Sequence, residues 1–96
     1  MAGPFFTSVG LPHVHGVYTH TVTVPPGWGV TREATILASA TEIGGGTPGH
    51  PFIGSASIQV LNIAPGNNEF GFRINVEWPL PLAVWVKFVI WPGEKG

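Results

Sequence analysis

From Glu69 to Trp78 every second residue is apolar. Phe70, Phe72, Ile74, Val76 and Trp78 alternate with Glu69, Gly71, Arg73, Asn75 and Glu77. A period of two puts the apolar set on one face of an extended strand, whereas a helix would scatter it around its circumference. The same period returns along the chain. Tyr18, His20, Val22 and Val24 oppose Val17, Thr19, Thr21 and Thr23. Ala34, Ile36, Ala38 and Ala40 oppose Glu33, Thr35, Ser39 and Thr41, where the β-branched residues favour strand over helix. A run from Phe52 places Phe52, Ala56, Ile58 and Val60 on one face, with Leu61 and Ile63 on the other. The last run sets Leu82, Val84, Val86, Phe88 and Ile90 against Ala83, Trp85, Lys87, Val89 and Trp91.

Between the runs stand breakers: Pro25-Pro26-Gly27, the glycine-rich stretch from Gly44 to Gly49, Pro65-Gly66-Asn67-Asn68, the corner with Pro79 and Pro81, and Pro92-Gly93. Regularly spaced strands divided by such clusters predict an all-β fold, a small antiparallel β-sandwich of five to six strands. Residues 1–16 carry Phe5, Phe6, Val9 and Leu11 without a sustained period. They are read as an extended N-terminal arm or an edge strand, and residues 17–96 as a single sandwich domain.

Charge narrows the function. Only 9% of the 96 residues are charged, where about 25% is usual for a soluble domain. A surface so poor in charge is weakly protected against association. The net charge is −1, and the four basic residues are scattered through the chain. Nucleic-acid binding, which needs clustered Lys and Arg to neutralise phosphates, is therefore not expected. No stretch resembles a signal peptide, and the longest apolar run, Leu82 to Trp91, is broken by Lys87, so membrane insertion is not expected. The expected location is a virion, or the cytoplasm or another soluble compartment. With no cysteine, the redox compartment is not legible.

Catalysis finds little to work with. All five acidic residues are glutamates, so a Ser-His-Asp triad is impossible, and no nucleophile elbow occurs. Glu33, Glu69 and Glu77 fall on solvent faces. The glycine run lacks the lysine of a phosphate loop. The chain is expected to be no enzyme and to need no cofactor.

Two constellations remain. His13-Val14-His15 puts two imidazoles on one side of an extended segment. A shared metal would require further ligands, such as those of symmetry mates meeting on an axis, an arrangement that resembles metal sites of phage fibre tips. The alternative is a pair of loop histidines without a metal. His20 falls on an apolar face, where a core histidine bonded to backbone is the simpler reading. Among the four tryptophans, Trp78 closes the inward face of its strand, Trp28 lies in a loop, and Trp85 and Trp91 share a face turned from the core. Large aromatics on an outer face point first to a subunit or partner contact, because they bury much area at little entropic cost; the alternatives are cover by a second layer of the same chain or a stacking platform for sugar rings.

The second half resembles the H-type lectins. The resemblance rests on Ala56-Ser57-Ile58-Gln59-Val60, on Phe70-Gly71-Phe72-Arg73-Ile74-Asn75-Val76-Glu77-Trp78, and on Ala83-Val84-Trp85-Val86-Lys87-Phe88-Val89-Ile90-Trp91. It covers roughly the last forty residues and implies an antiparallel sandwich that assembles as a homotrimer. The family's galactosamine-type site does not carry over. Trp78 is followed by Pro79-Leu80-Pro81, no arginine stands near Gly54-Ser55, and aspartate is absent. Similar lectin-like sandwiches also occur as trimeric parts of phage tails and capsid decorations.

The leading expectation is therefore a non-enzymatic structural or interaction subunit of a larger assembly, such as a phage capsid decoration or tail protein. Its partners would be its own copies and other virion proteins, with Phe5, Phe6, Trp85 and Trp91 at the interface. The alternative is a soluble lectin-like protein meeting a cell-surface glycan through Trp28, Arg73, Asn75 and Trp78. A metal role for His13 and His15 comes third.

Overall fold

A computed structural model describes residues 4–44, 50–52 and 56–93, with the backbone alone for 50–52. The chain is all-β. Its strands are β1 (Phe5–Val14), β2 (Gly16–Thr23), β3 (Thr35–Gly44), β4 (His50–Phe52), β5 (Ser57–Gly66), β6 (Glu69–Glu77) and β7 (Leu82–Trp91). Six of these have eight residues or more, and β4 has three. A 3₁₀ turn, Pro26–Trp28, separates β2 from β3. No helix among the described residues is long and apolar enough to cross a membrane.

The strands form two sheets, ordered β1-β7-β3-β4 and β2-β6-β5, with every pairing antiparallel. The two most regular alternating runs, β6 and β7, occupy interior positions where both edges are paired, as β3 does between β7 and β4. Their inward residues are the core. Phe70, Ile74, Val84, Val86 and Ile90 are wholly buried, each worth about 1.5–3 kcal/mol of transfer free energy. Phe88 of one sheet packs against Phe70 and Phe72 of the other, with ring centroids 4.7 and 5.1 Å apart. That aromatic cluster holds the two layers together.

Connections follow the local chemistry. β1 passes to β2, in the opposite sheet, through His15 alone, and the sharp corner is completed by Gly16 at φ +71°. β5 turns into β6 through Asn67-Asn68, with Asn68 at φ +61°, a conformation asparagine tolerates. The turn is tighter than the sequence suggests, because Pro65 and Gly66 still pair with Phe70 and Glu69. Past β7, the Pro92 carbonyl accepts bonds from both the backbone N–H and the hydroxyl of Thr31, each at 3.3 Å. Gly93 stands at φ +80°, where an added Cβ would collide with the Glu33 carbonyl.

Three sequence expectations change. The run from Phe52 to Val60 is not one strand: Phe52 ends β4 in the four-stranded sheet, and β5 starts at Ser57 in the other. Leu61 and Ile63 do not share an outer face, because a bulge between Val60 and Asn62 shifts the register, leaving Leu61 exposed and returning Ile63 toward the core. Trp78 is not core, since β6 stops at Glu77 and the chain turns there, with the Trp78 N–H bonded to the Val76 carbonyl. Of the glycine-rich stretch expected as a loop, Gly44 ends β3, and 45–49 lie outside the described residues. Residues 5–14 of the expected arm form β1, an edge strand.

Candidate functional site

The outer face of the four-stranded sheet follows from its register. Phe6 pairs with Val89, and Val89 with Leu37. Ser8, Lys87 and Ser39 form the next row, then Gly10, Trp85 and Thr41. Trp91 lies at the end of the same column on β7, opposite Thr35. Phe6 is 70% exposed and Leu37 59%. Trp85 and Val89 are half-buried between these flanking strands. An open groove of about 540 Å³ runs here, walled by Phe6 and Leu37 and floored by Val89 and Trp85.

Among the described residues, one charge stands on this face. The Lys87 ammonium lies 4.2 Å from the centroid of the Trp85 ring, a cation–π contact worth about 0.5–1 kcal/mol at an exposed site. The row of Ser8, Lys87 and Ser39 separates Phe6, Val89 and Leu37 from Trp85 on this face.

The outer face of the three-stranded sheet is different. Thr19, Thr21 and Thr23 of β2 lie opposite Arg73, Gly71 and Glu69 of β6. The Arg73 Nε–H donates to Thr19 Oγ1 at 3.2 Å, and the Asn75 amide donates to Glu77 Oε1 at 3.3 Å. A hollow of about 310 Å³ opens over Gly71, bordered by Thr19, Asn62 and Arg73.

The structure groups only some of the residues singled out by sequence. Phe6, Trp85 and Trp91 share the apolar outer face. Phe5 does not, because it points to the opposite side of β1 and stacks on Trp28, with ring planes 4° apart and centroids at 4.6 Å. Arg73 and Asn75 lie together on the polar face. Trp28 and Trp78 sit at opposite ends of the sandwich. The loop holding Trp28 is tied to Asn68, just before β6, by bonds from Val24 and to Val30, whereas Trp78 follows the last residue of β6. Nine strand residues separate these ends, about 30 Å. The four residues named for a glycan therefore form no single site.

His13 and His15 are both exposed, on either side of buried Val14. No group of three His, Cys, Asp or Glu side chains suited to a metal occurs among the described residues. His20 is half-buried: its ring lies 5.8 Å from that of Phe72, and its Nδ1 is 3.5 Å from the Tyr18 hydroxyl.

Leu37 is the residue that the sequence reading passed over. Its position between Thr35 and Ser39 in an alternating run was the available signal. The stacking of Lys87 on Trp85 had none, since both are simply outward residues of one strand. Comparison of this chain with family models, curated proteins and solved structures finds no match.

Proposed function

We propose that this chain is a non-enzymatic structural subunit that packs into a larger assembly through the outer face of its four-stranded sheet. The observation that carries the reading is the column of Trp85, Val89 and Trp91, interrupted by Lys87 and flanked by exposed Phe6 and Leu37. Water contact with that surface is unfavourable, and cover by a neighbouring subunit removes it. The low charge of the whole chain supports the same reading, because it offers little repulsion between copies. A protein particle such as a phage virion, in which small β-sandwiches decorate or join other subunits, is the setting this surface fits best.

The test uses Leu37→Lys, which places a second cation on the face at an exposed position, and Trp85→Ala. Both variants should keep the far-UV spectrum of the parent and lose higher-mass species in light scattering over a concentration series. Assembly unchanged in both variants would remove the outer face from consideration.

A second reading, carbohydrate binding, draws on the polar hollow beside Arg73 and Asn62. A glycan array with wild type and Arg73→Ala tests it: binding lost in the variant supports it, and a blank array with wild type rejects it.

A further inference from the structure

The four-stranded sheet ends on β1, and among the described residues no strand pairs with its outer edge. Such an edge presents unpaired N–H and C=O groups, which folded proteins guard with charge, proline, bulges or brevity. β1 has ten residues and not one charged side chain. Its guards, Pro12 and a bulge between Leu11 and Val14, lie at one end. From Phe5 to Leu11 the register with β7 is unbroken. This regular stretch is centred on Ser8.

We propose that two copies of this chain pair through β1, antiparallel about a two-fold axis at Ser8. The inference rests on the reading of the chain as a self-assembling subunit and supplies its contact. In this register Ser8 faces the partner's Ser8, and Phe6 faces the partner's Gly10. Phe5 faces the partner's Leu11, and Thr7 the partner's Val9.

The side chains fit this register. Phe6 is 70% exposed, and a Cβ built on Gly10 meets nothing within 4 Å. An aromatic ring laid across a cross-strand glycine covers the backbone that the glycine leaves bare. The contact does this twice by symmetry. Because Gly10 pairs with Trp85 on its other side, each Phe6 ring also comes to rest beside the partner's Trp85.

Other registers fit less well. Centring on Thr7 sets Phe6 against Ser8, and centring on Val9 sets it against Pro12, and neither pairs the whole stretch. A slip of one residue turns the outer face of one copy against the inner face of the other. β2 is also an uncharged edge and leaves Val17 62% exposed, but its outward residues from Thr19 to Thr23 are threonines, so its apolar side chain stands at one end only. The product is a continuous eight-stranded sheet with two-fold symmetry. It is a dimer, not the trimer that the lectin resemblance implies.

Two variants test the contact. The chain has no cysteine, so Ser8→Cys introduces the only thiol. Directly opposed antiparallel residues lie about 4.5–5.5 Å apart at Cα, within disulfide range. Mild oxidation should convert this variant to a covalent dimer about tenfold faster than the control Thr21→Cys. Gly10→Thr fills the seat of the partner's Phe6 in a position that is open in the monomer. It should leave the fold intact and raise the dimer dissociation constant about tenfold or more. A wild-type monomer at every concentration, a trimer indifferent to Gly10→Thr, or Ser8→Cys no faster than its control would each overturn the proposal. Loss of assembly in Leu37→Lys alongside a silent Ser8→Cys would sink the edge contact and leave the outer-face reading standing.

Discussion

The two outer faces of this sandwich rest on one core and have opposite chemistry. On the three-stranded side, Arg73 donates to Thr19 and Asn75 to Glu77, and the surface around them is small and polar apart from exposed Val17 and Leu61. Its side chains find partners on the same sheet or in water. On the four-stranded side, the central column is Trp85, Lys87, Val89 and Trp91, and the polar neighbours are the short Ser8, Ser39 and Thr41. A sheet needs one apolar face to fold. A second one adds nothing to the core of the single chain.

That comparison is open to experiment. The largest effect is expected for Phe88→Ala, which removes the ring joining the layers beneath both faces. Denaturant unfolding should show a loss of about 3–5 kcal/mol, and assembly should disappear together with the fold. A fold that survived with assembly alone impaired would mean that the faces do not depend on a common core.

Gly93→Ala comes next. Positive φ and the approach of the Glu33 carbonyl act together there, so a loss of about 2 kcal/mol or more is expected. Native-state hydrogen exchange should rise first at Thr31 and Ala34, the amides beside this tie, before it rises along β2. Equal acceleration in both sheets would show that they open as one unit and differ only at their surfaces.

Arg73→Ala should have the smallest effect. It breaks one exposed hydrogen bond, and thermal melts should register about 0.5 kcal/mol or less. Light scattering should match the parent, in contrast to Leu37→Lys on the other face. A shift in self-association with Arg73→Ala would reverse the assignment of the two faces.

Legibility in the sequence followed periodicity. β6 and β7 were evident because their alternation is strict and both lie at the centre of a sheet, where the core selects every inward side chain. β5 was less clear: the bulge at Val60–Asn62 adds a residue, and no local pattern announces it. β4 was merged with β5 because three residues are too few to show a period. The outer aromatics Trp85 and Trp91 were visible from the same alternation that located the core. Phe5 and Phe6 are adjacent in sequence, but neighbours on a strand point to opposite faces, and the stacking of Phe5 on Trp28 depends on a loop whose path the sequence does not dictate. Trp78 continues the alternation of β6 one residue beyond the last rung of the ladder, so periodicity alone places it inward.

The order of the strands bears on how the chain is made. β1 and β3 both wait for β7, and β2 waits for β6. A ribosome releasing this chain therefore exposes the uncharged segment from Phe5 to Leu11 well before its native mate is synthesised. Pairings so distant in sequence place the protein among slow-folding topologies, on the order of milliseconds to seconds. Until Leu82 to Trp91 emerges, that segment has no native mate on its own chain and is open to pairing with other nascent chains, and crowded translation would favour tangles over subunits.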